Sequence, residues 1–395
     1  MIKYYFLIVI GIAMASSCAN TKQTTSNNFV ESAFKISKQH LENAIVANPD
    51  LTKFPRSINA DGSLRAPGSS DWVSGFFPGN LWYIYEYSKD EKIKEAARKW
   101  TLSMEKEQFN VNTHDVGFMI YCCYGNAYRL TNQEDYKTAV INAAKSLSTR
   151  FNKKIGCIQS WDWPSRWKFP VIIDNMMNLE LLYAASKLTG DTSYRDIANH
   201  HAFTSMKNHF REDYSSFHVI DYDPETGEVY AKKTHQGYAD KSAWARGQGW
   251  GLYGYTVCYR ETKNEKFLEQ AKKIAALIMN HPNTPEDLIP YWDYNAPDIP
   301  NAPRDASAAA LFASALLELS TYDAQNSKAY FKYAEQILKN LSSPEYLAEP
   351  GTNHNFILKH STGNKPNNSE IDVPLAYADY YYLEALLRYQ KLTTN

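Results

Sequence analysis

The stretch IIDNMMNLELLYAASKL, residues 172–188, is apolar on almost every helical face. A helix of that kind is buried on all sides, whereas a surface helix keeps one polar face. FMIYCCYGNAYRL (118–130), GLYGYTVCYRE (251–261) and ASAAALFASALLELS (306–320) read the same way. Helices of a second kind lie between them, polar on one face, such as KIKEAARKWTLSMEK (92–106). That second kind recurs in KDEKIKEAA (89–97), NQEDYKTA (132–139), GDTSYRDIA (190–198), KNEKFLEQA (263–271) and NSKAYFKYA (326–334). Each joins a polar turn to an aromatic residue or Ile, then to an Ala. The anchors Ile93, Tyr136, Tyr194, Phe267 and Tyr330 stand at unequal intervals of 43 to 73 residues. Unequal spacing argues against a strict solenoid and for helical hairpins with loops of variable length. An apolar inner ring wrapped by an amphipathic outer ring gives this alternation. The expected fold is therefore all-α: an (α/α)6 barrel, or six-hairpin toroid. SSFHVIDYDPETGEVYAK (215–232) alternates around Pro-Glu-Thr-Gly and predicts a small β-hairpin insertion. No linker divides the chain after residue 30, so residues 31–395 form one barrel domain.

The chain has 395 residues and a formal net charge of -1, which gives no electrostatic case for nucleic acid. Its 29 Tyr, 17 Phe and 9 Trp suit a large helical core, or flat faces that stack on sugar rings. At the N-terminus, Lys3 precedes the apolar run YYFLIVIGIAMA and the small residues SSC. This is a secretory leader over residues 1–18, too short to span a bilayer. The small residues before Cys18 resemble a bacterial lipoprotein site, with Ala15 where Leu is usual. ANTKQTTSNN then predicts a flexible tether over residues 19–30. The expected location is outside the cytoplasm: the periplasm, or a lipid anchor in the outer membrane of a Gram-negative bacterium. Cys122, Cys123, Cys157 and Cys258 have no C-x-x-C spacing and read as buried free thiols. No HxxxH or HExxH pattern supports a metal.

Clusters that mix acids, amides, Arg or His with Trp or Tyr introduce the inner helices. They are SSDWVSGFFPGNLW (69–82), NTHDVGFM (112–119), SWDWPSRWKFPVIIDNMMN (160–178), THQGYADKSAWARGQGWGLYGY (234–255) and NAPRDASAAA (301–310). Asp115 and Asp174 each lie near the start of an apolar helix, where the dipole favours a carboxylate. A capping or structural hydrogen bond is the plain alternative. Asp174, however, is not placed as a cap. On a helix it shares a stripe with Met177, Asn178 and Leu181, beside the stripe of Ile172, Met176, Leu179 and Tyr183. Desolvation raises a carboxyl pKa, and a second carboxylate raises it further. An acid still protonated near neutral pH suits general acid catalysis. Arg246 and Trp250 share a helical stripe beside Gln248. Such an Arg either grips a ligand carboxylate bidentately or pairs with a structural acid.

SWDW…WKFPVIIDNMMNLELL, FHVIDYDPETG, THQGYADKSAWARGQGWGLYGY and EIDVPLAYADYYYLEALLR together resemble the unsaturated glucuronyl hydrolases of glycoside hydrolase family 88. The resemblance runs from about residue 35 to 390. It implies an (α/α)6-barrel enzyme that releases the 4,5-unsaturated uronic acid left by a polysaccharide lyase at a non-reducing end. The reaction it implies is hydration of the C4=C5 double bond, followed by collapse of the hemiketal. The resemblance assigns Asp174 as proton donor and Asp115 as the second essential acid. It assigns uronate contacts to His218, Gln236, Arg246 and Trp250, and stacking to Trp72 and Trp161, with Trp163 as a competitor. Ser361 and Lys365 match a loop that contacts the next sugar in some relatives. Asn364 stands where relatives that accept sulfated units carry a second Ser. No cofactor is implied. The expected substrates are glycosaminoglycan or ulvan fragments. A rhamnogalacturonyl hydrolase of the same fold usually carries Asn in place of Gln248. An inverting glycosidase using the same two acids, and a non-catalytic glycan-capturing lipoprotein, are the other readings.

Overall fold

The computed structural model describes residues 16–394. The apolar run of the expected leader and the side chain of Cys18 lie outside the described residues. Twelve α-helices are found among those residues, and they alternate between two rings. The outer ring is α1 (Ser16–Ala47), α3 (Glu91–Leu102), α5 (Glu134–Ser148), α7 (Thr192–Asn208), α9 (Glu265–Asn280) and α11 (Ser327–Leu341). The inner ring is α2 (Phe76–Ser88), α4 (Asn126–Thr131), α6 (Leu179–Thr189), α8 (Ala245–Thr262), α10 (Ala306–Leu319) and α12 (Ala376–Thr394). Inner neighbours touch in the order α10, α12, α2, the π-helix ahead of α4, α6, α8 and back to α10, which closes the barrel.

The alternation follows from the side chains. In α3 the residues Ile93, Ala97, Trp100 and Thr101 are buried and the rest face outward, with Asp90 capping the Lys92 amide. All five repeat anchors, Ile93, Tyr136, Tyr194, Phe267 and Tyr330, are buried beneath the outer ring. In α10, by contrast, every residue but Glu318 is buried, and its small residues let α8 and α12 approach. Cys122, Cys123, Cys157 and Cys258 are free and buried, as their spacing predicted.

The backbone departs from the expected helix where the site lies. Residues 172–178 do not continue α6. After the short strands β1 (Ser57–Ile58), β2 (Leu64–Arg65), β3 (Phe151–Asn152) and β4 (Cys157–Ile158), Pro170–Ile172 is strand β5, and Ile173–Asn178 is a 3-10 helix. β5 pairs antiparallel with β6 (Val219–Tyr222), which pairs with β7 (Val229–Lys233). The predicted hairpin is thus present, and it carries the neighbouring strand with it. The Ile172 amide donates to the Ser160 hydroxyl and the Ile173 amide to the His218 carbonyl, both at 3.0 Å, while the buried Asn175 side chain donates to the Ile158 carbonyl at 3.1 Å. Local polar groups therefore satisfy this backbone without an α-helix. The helical stripes assigned around Asp174 do not exist. The segment Gly117–Gly125 is likewise a π-helix that runs into α4. Asn178 crosses to it and accepts from the Phe118 amide at 2.9 Å. Two further two-stranded hairpins, at 57–65 and 151–158, decorate the barrel ends.

The expected tether, residues 19–30, continues the backbone of α1. Val30, Ala33 and Phe34 anchor that helix in the core, and extending an existing helix is far less costly than nucleating one.

Close approach between α8 and the 3-10 helix gives a stability prediction. A Cβ on Gly254 would sit 2.5 Å from the Met176 Cβ and 3.2 Å from its backbone. Gly254→Ala is expected to destabilise the protein by about 1–3 kcal/mol, as overpacking does. Urea denaturation checks this, and an unchanged midpoint would contradict the packing described.

Candidate active site

The inner helices begin at one end of the barrel, and their first residues surround a cleft of about 440 Å³. Asp115 reaches it just ahead of the π-helix, Asp174 from the 3-10 helix, Arg246 from the first turn of α8 and Tyr377 from the first turn of α12. Trp72, Trp161 and Trp163 supply aromatic walls. Trp161 and Trp163 stack with centroids 5.1 Å apart and planes at 17°. Trp163 is 46% exposed at the mouth, so it offers a free face.

Two acids face this cleft in poorly solvated positions. Burial pushes the Asp174 carboxyl up to about 7; Arg246 opposes the rise and Asp115 adds to it. Burial also pushes Asp115 up to about 7, where the Thr113 hydroxyl opposes the rise and Asp71 adds to it. A pair of carboxyls poised near neutrality in one cleft can hold and pass a proton at neutral pH.

A buried histidine accompanies each acid. His218 Nδ1 accepts from the His235 and Gln236 amides, both at 3.1 Å. Its proton is therefore on Nε2, which lies 3.6 Å from Asp174 Oδ2. Burial, with His235 and Arg246 nearby, holds this imidazole neutral by pushing its pKa well down. His114 has the opposite arrangement: Nδ1 lies 2.9 Å from the Ser160 carbonyl, and Nε2 lies 3.2 Å from Asp115 Oδ1.

The structure brings Asp115, Asp174, Trp72, Trp161, Gln236 and Arg246 to the cleft. It corrects five expectations. Arg246 is 1% exposed, and its guanidinium pairs with the buried Asp305. It also donates to the Thr362 and Gly363 carbonyls at 2.7 and 2.6 Å. Most of its donors are thus held by the protein, because Asp305 is buried and must be paired. Trp250 is fully buried beneath the cleft, packed on Phe118 and Tyr381. Ser361 is also buried, and its backbone pairs with Val373, so it does not line the cleft. Lys365 turns outward to Asp298 at 2.8 Å and lies over Trp292. His218 stands behind Asp174 and does not line the wall.

Sequence reasoning missed several wall residues. Arg56 is held by Glu370 and Asp71. Arg65 engages only Nη1, at 3.4 Å from both Glu370 and Ser369, which leaves donors for a ligand. Arg65 ends the hairpin at 57–65 and Arg56 immediately precedes it, in a segment that carried no sequence signal. His114 lay in the NTHDVGFM cluster, and Glu370 and Tyr377 in EIDVPLAYADYYYLEALLR, without being singled out.

An all-α toroid with two near-neutral acids in an aromatic cleft defines a carbohydrate-processing barrel. The chain belongs to Glycosyl Hydrolase Family 88, whose family model matches residues 49–391. It is 48% identical to an unsaturated glucuronyl hydrolase from Formosa agariphila, over 98% of each chain. The crystal structure of an unsaturated glucuronyl hydrolase specific for heparin superposes with a TM-score of 0.91 at 52% identity, covering 93% of this chain and 99% of that one. A mutant Streptococcus agalactiae unsaturated glucuronyl hydrolase complexed with dGlcA-GalNAc6S matches with a TM-score of 0.79 at 30% identity, covering 92% of each chain. The activity of this chain is accordingly that of a glycoside hydrolase of the unsaturated glucuronyl hydrolase type.

Proposed function

We propose that the cleft takes the 4,5-unsaturated uronate at the non-reducing end of a lyase-generated oligosaccharide and hydrates its C4=C5 bond. Asp174 gives its proton to C4, and the ring oxygen shares the positive charge that develops at C5. Water attacks C5 and loses a proton to the same carboxylate, which restores the acid. The hemiketal at C5 opens, the sugar at C1 leaves, and a 5-keto uronate remains. His218 Nε2–H, on the Asp174 side, stabilises the carboxylate present between the two proton transfers. Gln236 and the tryptophan walls orient the ring. The observation that carries this reading is the placement of two desolvated acids, each pushed to about 7, in one cleft.

Relatives that act on heparin or bind dGlcA-GalNAc6S support a glycosaminoglycan fragment as substrate, and an ulvan fragment carries the same terminal uronate. The leader that ends at Cys18 supports export to the periplasm or to the outer membrane as a lipoprotein. A panel of lyase-generated disaccharides tests the substrate. The expected result is loss of the double bond's ultraviolet absorbance in step with sugar release. Release with the absorbance intact would instead indicate direct hydrolysis at the glycosidic carbon.

A further inference from the structure

We propose that His114 is a positioning residue whose Nε2 lone pair keeps Asp115 in the acid form, so that the uronate anion enters a cleft whose second acid is uncharged. The inference rests on the reading that this cleft binds an unsaturated uronate.

The Ser160 carbonyl can only accept, so the contact at 2.9 Å requires a proton on His114 Nδ1. In the neutral ring Nε2 is then a bare acceptor. It is sealed from solvent, and among the described residues no donor is directed at it. The group that faces it is Asp115 Oδ1, 3.2 Å away. Two lone pairs at that distance repel, whereas a proton on Oδ1 turns the contact into a hydrogen bond. Placing the proton on the ring instead would give an imidazolium. His114 is 0% exposed and lies beside the Arg150 guanidinium, so burial and a like charge both oppose that form. Burial pushes the His114 pKa down to about 3.

The other groups around the pair leave this balance in place. Asp115 is faced by Asp71 and Asp174, whose charges favour its acid form, and by Arg150, which opposes it. The Thr113 hydroxyl donates to Oδ2 at 3.1 Å, leaving Oδ1 for His114. Asn178 also approaches the carboxyl. Asp162, His201 and His218 lie within electrostatic reach of the histidine. His218 is fixed in the other tautomer, with an N–H toward Asp174. The two histidines thus mark the two acids differently: one acid meets a lone pair, the other an N–H.

The consequence lies in binding. If Asp115 is protonated in the complex, binding above its pKa must take up a proton. Apparent Kd then rises about tenfold per pH unit there and is flat below. The test uses Asp174→Asn, which removes turnover and the second titration, and measures Kd for an unsaturated disaccharide between pH 5 and 9. The expected result is unit slope above the Asp115 pKa, no slope in Asp115→Asn/Asp174→Asn, and an onset at least about one unit lower in His114→Asn/Asp174→Asn. A flat profile in Asp174→Asn, or an onset that His114→Asn does not move, would overturn the proposal. Nitrogen NMR of His114 in the Asp174→Asn protein gives a readout that does not depend on a mutant ring folding. A neutral Nδ1–H tautomer at pH 6 is expected; an imidazolium or an Nε2–H tautomer would refute it. Failure to bind at pH 5 would count against the uronate reading, while the tautomer would still decide the inference.

Discussion

Asp174→Asn is expected to fold and bind the unsaturated disaccharide, with kcat lower on the order of 10²–10⁴-fold, the usual range for a lost general acid–base group. Asn matches the shape of the acid but has no proton to give and takes none from water. A kcat within tenfold of the parent would remove Asp174 from the proposed chemistry. The same variant should be more stable than the parent at alkaline pH. Burial holds the Asp174 carboxyl at about 7 in the folded protein, against an ordinary value of 3.8. Between those values the native state binds more protons than the unfolded one, so this acid's contribution falls as pH rises through the window. Above pH 7 the charged, desolvated carboxylate opposes folding in full, and Asn lifts that penalty. Thermal melting at pH 5 and pH 8 should therefore show a gain that is larger at pH 8. The site gives up stability to keep a reactive proton.

Arg246→Met is expected to cost about 3–5 kcal/mol, because it strands Asp305 as an unpaired charge in the barrel wall. Asp305 is 0% exposed. It also accepts from the Ser307 amide and hydroxyl at the start of α10, so the acid cannot move away without uncapping that helix. The Arg246 guanidinium also bonds to the Thr362 and Gly363 carbonyls, which lie more than a hundred residues away in sequence. Its loss should free the 360–370 loop from the cleft wall and raise KM along with the loss of stability. Adding Asp305→Leu should recover part of the stability, since the stranded charge is gone, but not KM. Urea denaturation and steady-state kinetics of the single and double variants separate the two effects. A single variant as stable as the parent would contradict the buried ion pair.

The barrel was legible because ring position sets burial. Ile93 and Phe267 each open a single buried stripe on an otherwise polar outer helix, and ASAAALFASALLEL marks an inner helix by having almost no polar face. The two acids were legible as charges in apolar surroundings. The backbone around Asp174 was not. Pattern alone cannot separate a buried helix from a strand followed by a tight turn when both are apolar. What decides it is the pairing of Pro170–Ile172 with Val219–Asp221, a contact between distant segments. The partner of Arg246 was hidden for the same reason. A stripe shows an arginine where a ligand could meet it, but only the fold reveals that Asp305 is already there. Ser361 and Lys365 show the limit of motif transfer. Both residues match the loop, yet one is buried against Val373 and the other turns to Asp298. Arg65 lies on the wall from a hairpin three hundred residues earlier, beyond any local pattern.

Turnover in deuterium oxide tests the hydration most directly. If Asp174 protonates C4, the uronate product examined early in the reaction carries one carbon-bound deuterium at C4 and no C4=C5 double bond. A released uronate that keeps its double bond and carries no deuterium on carbon would contradict hydration and make the cleft a conventional hydrolase site.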